Sequence, residues 1–247
     1  MGQNDPNLMA DNLNLNQHIS QQFNADLEKL RTDFLEMGGL VEAQLLDSIR
    51  AIEEGDSQLA ERVIEKENDV DQCEMTIDSE CTQILARRQP AASDLRLVLM
   101  VNKAIRDLER MGDEIVKIAR MALELDDSDK TPRGYIELRH LATNVSKLVS
   151  ISLDAFARFD VNAAIQVVKD DKAIDREYKS AIRELITFMM EDPRSITRAM
   201  NVIWGLRALE RVGDHARNIA EHIIYLVHGT DVRHTSPKEI EKRISEL

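Results

Sequence analysis

The chain has 247 residues, of which 31% are charged and only 4% aromatic, and it contains 9 glycines and 5 prolines. This composition favours helices over a β fold with many turns. The formal net charge of −13 makes a nucleic-acid backbone a poor partner and suits cations or a basic surface on another protein.

No apolar run approaches the roughly 20 residues needed to span a bilayer, and the longest useful stretch, Leu97–Val101, is far shorter. The first residues, Met1–Asn7, are polar and lack the apolar core of a signal peptide. The two cysteines, Cys73 and Cys81, form neither a C-x-x-C motif nor a disulfide framework. The sequence therefore predicts a cytoplasmic protein.

The first half of the chain has the pattern of three helices. Residues 1–12 are rich in Asn, Asp and Gln, and we expect a disordered tail there. A first helix carries an apolar stripe from Phe23 to Ile52, a second runs from about 57 to 88, and a third ends near 125. We assign residues 13–127 to this first three-helix unit.

The second half repeats the first. Its start follows the Asp-, Pro- and Gly-containing loop 126–134, which marks the unit boundary. Residues 51–71 align without a gap with residues 155–175, at an offset of 104. We assign residues 132–229 to the second unit and residues 230–247 to a tail with a short helix. The predicted fold class is all-α, with six long helices in two tandem three-helix bundles.

One motif occurs in the third helix of both units. Leu108–Asp113 reads Leu-Glu-Arg-Met-Gly-Asp, and Leu209–Asp214 reads Leu-Glu-Arg-Val-Gly-Asp. Residues four apart on a helix lie about 40° apart around its axis, so the Glu and Asp of each copy point the same way. Two such carboxylates repel unless a cation joins them. The glycine inside the motif costs a helix ~1 kcal/mol against Ala, and close helix packing is the alternative explanation for it.

The prolines that end the second helix of each unit predict where these carboxylates lie. Asp71 lies 19 residues before Pro90, and Glu109 and Asp113 lie 19 and 23 residues after it. In the second unit, Asp175 lies 18 residues before Pro193, while Glu210 and Asp214 lie 17 and 21 after it. If the second and third helices of each unit pack antiparallel, these acidic residues therefore lie at the same level along the helix axes. Glu74, one turn beyond Asp71, is a further member in the first unit; Tyr178 occupies the matching position in the second.

Converging carboxylates must take up protons, pair with basic residues or bind a cation. Oxygen ligands suit Mg²⁺, Ca²⁺ or Mn²⁺, and iron in carboxylate-rich bundles; we expect divalent or iron-type ions, with Mg, Mn, Fe or Zn as candidates. The predicted metal ligands are Glu109, Asp113, Asp71, Glu74, Glu210, Asp214 and Asp175. Arg110 and Arg211, which follow the Glu of each motif, could neutralise the clusters instead.

The catalytic alternative rests on few residues. Glu137 and His140 form one E-x-x-H motif, but a di-metal carboxylate enzyme of the bundle type needs two. No Gly-rich phosphate loop and no Ser or Cys nucleophile motif occurs in the sequence. We therefore assign no catalytic and no cofactor-binding residue. His215, beside Asp214, is read by default as a solvated helix residue, and Trp204 as core or interface packing.

The doubled L-E-R-x-G-D motif resembles the PhoU family of regulators of bacterial phosphate uptake. The turn Ala86–Arg96 and the stretch Glu210–Glu221 carry the same resemblance, which covers nearly the whole chain. It implies a cytoplasmic, usually dimeric, six-helix protein without catalysis. It also implies metal clusters held by the two E-x-x-x-D motifs, with Asp71 and Asp175 as partners from the second helices.

The first unit departs from the family pattern that the second unit keeps. Glu114, Lys117 and Arg120 stand where the second unit has the His, Asn and Glu of D-H-A-x-N-I-A-E. Lys117, one turn after Asp113, could neutralise the first cluster itself. We therefore expect metal occupancy to be weaker in the first unit.

The resemblance further implies a link between the ATPase subunit of a phosphate transporter and a membrane sensor histidine kinase. When phosphate is plentiful, the kinase is then held in its inactive or phosphatase mode. We expect a negative regulator of the phosphate-starvation response and of phosphate uptake, acting as a homodimeric metal-binding adaptor. The alternatives are a helical-bundle carboxylate metalloenzyme and a scaffold whose acidic clusters are only salt-bridged.

Overall fold

The computed structural model describes residues 21–124 and 135–245. The expected disordered tail 1–12 and the whole of the predicted boundary loop 126–134 lie outside the described residues. The predicted boundaries of the two units therefore stay predictions. The all-α fold class is confirmed, because every long element in the described part of the chain is a helix.

The first unit contains four helices, one more than predicted. Its helices are α1 (Gln21–Glu54), α2 (Ser57–Glu65), α3 (Glu67–Arg88) and α4 (Ala92–Glu124). The single second helix predicted over 57–88 is wrong, because the chain is interrupted at Lys66. The ψ of Lys66 is −9°, far from the roughly −42° of an α-helix, and this breaks the ladder of backbone hydrogen bonds.

The second unit matches its prediction more closely. Its helices are α5 (Tyr135–Arg158), α6 (Val161–Glu191) and α7 (Ile196–His228), with a 3₁₀ turn at Pro193–Ser195 before α7. A short helix, α8 (Pro237–Ser245), lies in the predicted tail. Its start is capped by Ser236, whose hydroxyl accepts a hydrogen bond from the N–H of Glu239 at 3.4 Å.

The repeat is visible in the turns. Asp56 caps α2 by accepting the N–H of Leu59 at 2.9 Å, and Asp160 caps α6 in the same way. Just before these caps the backbone turns left-handed, at Gly55 with φ 67° and at Phe159 with φ 52°. Phe159 is a bulky residue at a position that favours glycine, and it is held there by a fully buried ring.

Helices α4 and α7 form the centre of the molecule and pack antiparallel. Near one end of the pair, the Arg96 guanidinium donates to the carbonyl of Leu226 at 2.9 Å. Near the middle, Arg211 Nη1 lies 2.8 Å from Glu114 Oε1. Because each motif lies on one of these helices, the packing brings the two motifs next to each other. Trp204 of α7 is 62% exposed, which excludes the core position offered for it.

Candidate metal sites

The first acidic cluster lies between α3 and α4. Burial raises the pKa of Glu109, and the charges of Asp113, Glu74 and Asp71 raise it further. The pKa of Glu67 is raised by burial and then by a hydrogen bond with Asp113. Asp71 and Glu74 therefore lie beside the motif carboxylates, as the spacing around Pro90 predicts. Glu67, which the sequence analysis did not propose, is a further member one turn before Asp71.

An arginine occupies the space between the motif carboxylates of the first cluster. Arg110 Nε lies 3.3 Å from Glu109 Oε2, and Arg110 Nη1 lies 3.1 Å from Asp113 Oδ2. Both contacts are ion pairs within one helical turn, and the arginine side chain is largely exposed. The two motif carboxylates of the first cluster are thus ion-paired with their own motif arginine, as the salt-bridge alternative expects, while Asp71, Glu74 and Glu67 are not paired with it.

The second acidic cluster lies between α6 and α7. Burial raises the pKa of Glu210, followed by the charge of Asp214, and Asp175 adds to the same effect. Asp171, fully buried and one turn before Asp175, also has a raised pKa because of its burial. Arg217 Nη1 lies 3.2 Å from Asp171 and 3.6 Å from Asp214. Asp175 is therefore close enough for its charge to act on Glu210, as the spacing around Pro193 predicts, and it also forms an ion pair with Lys179 of its own helix at 3.9 Å. Asp171 is the counterpart of Glu67.

The motif arginine behaves differently in the second cluster. Arg211 Nη1 reaches across to α4 and contacts Glu114 Oε1 at 2.8 Å, leaving its own Glu210. Lys117 Nζ contacts the same oxygen at 2.8 Å. Lys117, which the sequence offered as a neutralising cation for the first cluster, instead pairs with Glu114, so the buried Glu114 carboxylate contacts both cations.

Glu210 consequently keeps an unpaired oxygen. Its Oε2 atom is buried and has no hydrogen-bond partner among residues 21–124 and 135–245. Arg207 Nε lies 4.0 Å from this atom, which is too long for a hydrogen bond. A buried carboxylate oxygen without a partner is costly, and a cation bound there would remove that cost.

The ligand sets of the two clusters differ at one position. Tyr178 of α6 stands where the first unit has Glu74, and the Arg207 guanidinium donates a hydrogen bond to it. The second cluster therefore contains three predicted ligands, Glu210, Asp214 and Asp175. The first contains four, with Glu74 as the additional one.

A polar cleft of about 460 Å³ lies between α4 and α7 and connects the two clusters. Its walls come from both copies of the motif and from the turns that follow them. The lining residues are Arg110, Asp113, Glu114, Lys117, Arg211, Asp214, His215, Arg217 and Asn218. The side chains of Asp113 and Asp214 thus line the same cleft, although they belong to different units.

A partly buried aspartate, Asp107, links the two units beside this cleft. Asp107 of α4 accepts hydrogen bonds from His215 Nδ1 at 2.8 Å and Asn218 Nδ2 at 3.0 Å. His222 Nε2 lies 3.4 Å from its second oxygen. Although burial opposes ionisation, these partners lower the pKa of Asp107 to about 2. The default interpretation of His215 as a solvated residue is therefore wrong, since its ring binds an aspartate of the other unit.

No signal in the sequence could have identified Asp107. The equivalent position in the second unit, at the motif offset of 101, is Ala208, so the repeat does not mark this residue. Glu67 and Asp171 could have been found, because they align with each other at the offset of 104. Each lies one turn before an aspartate that the spacing had already selected.

The carboxylate oxygens of the two clusters are the ligands that hard cations prefer. In their present conformations, however, these side chains do not surround a metal position. Within the two described ranges, no group of three or more His, Cys, Asp or Glu side chains is spaced to hold a metal ion. Binding would require the carboxylates to turn toward one another. The fit is better in the second unit, where Glu210 has an unpaired oxygen and its motif arginine points away.

The E-x-x-H motif of the catalytic alternative has a different partner. His140 Nδ1 contacts Glu177 Oε1, and Asn144 Nδ2 donates to the other oxygen of Glu177 at 2.9 Å. His140 thus pairs with a carboxylate of α6 that belongs to neither predicted ligand set. No helix within residues 21–124 and 135–245 has an apolar stretch long enough to cross a membrane.

Comparison with known proteins identifies the family. The family model described as "PhoU domain" matches residues 34–122 and 138–223, once in each unit. A "Phosphate-specific transport system accessory protein PhoU homolog" of Pseudomonas aeruginosa is 56% identical over 230 residues, which are 93% of this chain and 95% of the relative. The "Phosphate-specific transport system accessory protein PhoU" of Escherichia coli is 45% identical, over 95% of this chain and 97% of the relative.

Two solved structures have the same fold. The crystal structure of PhoU from Pseudomonas aeruginosa superimposes with a TM-score of 0.82 at 57% identity, covering 84% of this chain and 100% of that one. The phosphate transport system regulatory protein PhoU from Streptococcus pneumoniae superimposes with a TM-score of 0.79 at 30% identity, covering 85% of this chain and 99% of that one. This chain therefore belongs to the PhoU family.

Proposed function

We propose that this protein is an accessory protein of a phosphate transport system. It acts in the cytoplasm as a non-enzymatic negative regulator of phosphate uptake and of the phosphate-starvation response. It is a homodimeric adaptor that contacts the transporter ATPase subunit and a phosphate-sensing histidine kinase. The names of the relatives, which describe accessory proteins of phosphate-specific transport, support the first part of this proposal.

The observation that carries the adaptor hypothesis is the placement of both acidic clusters around one cleft. Each cluster lies between the last two helices of its unit, and one carboxylate of each, Asp113 and Asp214, lines the same cleft between α4 and α7. Neither cluster needs an open coordination position for this role, in contrast to a catalytic metal site.

Metal ions would be held by the carboxylates already described. Glu109, Asp113, Asp71 and Glu74 would supply oxygen ligands in the first unit. The second set is Glu210, Asp214 and Asp175. When bound, such an ion supplies positive charge that cross-links neighbouring helices. The chain's own contribution is the partial burial of Glu109 and Glu210, which raises the pKa of both and makes a cation favourable there.

A complementation experiment tests the regulatory role. In a strain lacking this protein, a reporter driven by a phosphate-starvation promoter should be active in phosphate-rich medium. The wild-type chain should silence it, and the Glu210→Ala/Asp214→Ala variant should not. Glu61→Ala/Glu65→Ala is the matched control, because these exposed acids of α2 have the same i, i+4 spacing outside the clusters; it should silence the reporter like wild type.

A pull-down tests the adaptor role directly. The purified wild-type chain should retain both the transporter ATPase subunit and the cytoplasmic part of the sensor kinase. Retention of neither partner, combined with turnover of a substrate by the metal-loaded protein, would favour the carboxylate metalloenzyme instead.

A further inference from the structure

We propose that Glu114 of the first unit is a positioning residue for the metal site of the second unit. It holds the motif arginine of the second unit, Arg211, away from Glu210, so that the Glu210 carboxylate stays available to a cation. This inference rests on the proposed metal binding and names the residue that makes the two copies of the motif differ. The readiness of each cluster to bind a cation is then set by a residue of the opposite unit.

Glu114 anchors cations in the contact between α4 and α7. Its side chain is only 8% exposed, and its Oε1 atom contacts Arg211 Nη1 and Lys117 Nζ, each at 2.8 Å. A carboxylate that is so poorly hydrated needs partners of this kind in order to stay ionised. The Arg211 side chain, by contrast, is 49% exposed, so its guanidinium is held mainly by the carboxylate of the opposite unit.

Glu210 is the carboxylate that Arg211 leaves without a partner. Its side chain is 15% exposed, and its Oε2 atom has no hydrogen-bond partner within the described part of the chain. Burial raises the pKa of Glu210. Of the two arginines that oppose this effect, Arg207 acts more strongly than Arg211, although Arg211 is the next residue in the chain. A buried oxygen without a donor is therefore available to a bound cation.

The first unit has no residue equivalent to this anchor. At the offset of 101, Arg110 corresponds to Arg211, and His215 occupies the position that corresponds to Glu114. Because α4 and α7 run antiparallel, four residues back from Glu114 and four residues on from Arg211 lead to one level along the pair. The two residues at that level are Arg110 and His215, which line the same cleft. The opposite unit thus offers Arg110 an imidazole and not a carboxylate.

A histidine does not replace Glu114 as an anchor. His215 Nδ1 already binds Asp107 at 2.8 Å, and an imidazole carries no negative charge in either protonation state. Arg110 accordingly pairs with the carboxylates of its own motif. A cation that enters the first cluster must displace this arginine, whereas a cation that enters the second does not have to displace Arg211.

A purely structural role for Glu114 makes a different prediction. The contact with Arg211 joins α4 to α7, so under that role its loss would loosen the interface whichever partner is removed. A positioning role predicts that removal of Arg211 repairs the loss of Glu114, because no arginine is then left to occupy Glu210. The double variant therefore separates the two roles.

The second cluster is tested alone in the parent variant Glu109→Ala/Asp113→Ala, by calorimetric titration with Mn²⁺. Added to this parent, Glu114→Gln keeps the shape of the side chain and removes its charge. It should weaken Mn²⁺ binding roughly tenfold, because the ion must then displace a charge-assisted hydrogen bond between Arg211 and Glu210. Glu114→Gln/Arg211→Gln should bind Mn²⁺ as tightly as the parent.

Two further variants complete the titrations. Arg96→Gln is the control, because Arg96 also joins α4 to α7, by donating to the Leu226 carbonyl near the far end of the pair; it should bind Mn²⁺ like the parent. Arg110→Gln is placed in the Glu210→Ala/Asp214→Ala variant, which reports on the first cluster alone. Removal of this exposed arginine should strengthen Mn²⁺ binding there severalfold, and unchanged affinity would contradict its part in the difference between the clusters.

A measurement without metal tests the positioning separately. Urea unfolding in the presence of EDTA gives the coupling free energy between Glu210 and Arg211, from the single and double glutamine variants. The coupling should be close to zero when Glu114 is present. It should become favourable in the Glu114→Gln protein, since Arg211 then turns to Glu210.

The outcomes distinguish this inference from the proposed metal site. Parent-like Mn²⁺ affinity of Glu114→Gln, or a Glu114→Gln/Arg211→Gln variant that binds as weakly as Glu114→Gln, would overturn the positioning role and leave the metal site intact. A wild-type protein that binds no Mn²⁺, Mg²⁺, Fe²⁺ or Zn²⁺ would overturn the metal site. In that case a coupling between Glu210 and Arg211 that ignores Glu114 would overturn the positioning as well.

Discussion

Asp107 of α4 binds His215 of α7 across the boundary between the two units, with an Oδ1–Nδ1 distance of 2.8 Å. The same carboxylate also holds Asn218 and contacts His222, so one residue of the first unit is bound by three of the second. Because His215 follows Asp214 directly in the chain, this contact also fixes the position of the second acidic cluster against α4.

Removing this carboxylate should loosen the contact between the units. Asp107→Ala leaves three partly buried polar side chains without their acceptor, and we expect a loss of about 1–2 kcal/mol in the free energy of unfolding. Asp107→Asn keeps one acceptor oxygen, and its free energy of unfolding should fall clearly less than that of Asp107→Ala. Urea unfolding followed by circular dichroism measures both. A loss below about 0.5 kcal/mol for Asp107→Ala would show that this contact does not hold the units together.

The motif glycines should tolerate alanine. A Cβ atom at Gly112 would lie 3.5 Å from Val70 Cγ1, and one at Gly213 would lie 3.6 Å from Ile174 Cδ1, both ordinary contact distances. Gly112→Ala and Gly213→Ala should therefore each stabilise the fold by roughly 0.5–1 kcal/mol. Close packing, the alternative explanation for these glycines, excludes larger side chains but not a methyl group.

Gly38 is the matched control for that prediction. A Cβ atom there would lie 2.5 Å from Leu153 Cδ2, so the buried leucine would have to move. Gly38→Ala should consequently be less stable than either motif variant by about 1 kcal/mol or more. Equal stabilities of the three alanine variants in thermal unfolding would contradict the packing described here.

A surface ion pair gives a pH-dependent prediction. Asp26 of α1 accepts hydrogen bonds from Arg88 of α3 at 2.8 and 3.0 Å. A hydrogen bond from Gln22, and then Arg88, lowers the pKa of Asp26 below its ordinary value of 3.8. Since the folded-state pKa is depressed, the stabilisation is present above the unfolded pKa and is lost as the pH falls through the folded one.

Asp26→Asn should therefore be less stable than wild type by up to about 1 kcal/mol at pH 7, in keeping with a partly exposed pair. The difference should disappear as the pH is lowered below about 4. Urea unfolding at a series of pH values measures it. A difference that stays constant down to pH 3 would show that the carboxylate charge is not its source.

The two cysteines should differ in reactivity. Burial raises the pKa of Cys81 to about 12, and the thiol faces the core from α3. Cys73 is half-buried, and its pKa is raised less. Iodoacetamide at pH 8 should modify Cys73 slowly in the native protein and Cys81 only after unfolding, because the thiolate is the reactive form. Peptide mass spectrometry checks this order, and native modification of Cys81 first would contradict the orientation of α3.

Local signals in the sequence predicted much of the fold. The caps at Asp56 and Asp160 and the helix ends at Pro90, Pro193 and Gly229 follow from residue types that favour those backbone conformations. The break at Lys66 could not be predicted, because Lys66 is an ordinary helix residue and α6 continues without interruption at the equivalent place.

The candidate site was predictable only within each unit. Spacing around the prolines predicted that Asp71 and Asp175 lie near the motif carboxylates, where their charges act on Glu109 and Glu210, since it depends on the rise of a helix alone; their role as metal ligands stays a prediction. The contact of Arg211 with Glu114 and the role of Asp107 depend on how α4 packs against α7. No local pattern encodes that packing, so the difference between the two arginines of the repeated motif appears only in the folded molecule.

We propose that the acidic clusters bind metal ions, the second more strongly than the first. Elemental analysis of the purified protein, followed by calorimetric titration with Mg²⁺, Mn²⁺, Fe²⁺ and Zn²⁺, tests it most directly. Three double variants are compared: Glu210→Ala/Asp214→Ala, Glu109→Ala/Asp113→Ala and the control Glu61→Ala/Glu65→Ala.

We expect bound metal in the wild type and the control, its largest loss in Glu210→Ala/Asp214→Ala, and a smaller loss in Glu109→Ala/Asp113→Ala. Metal uptake by Glu210→Ala/Asp214→Ala equal to that of the wild type, or a wild-type protein that binds none of the four ions, would contradict the account.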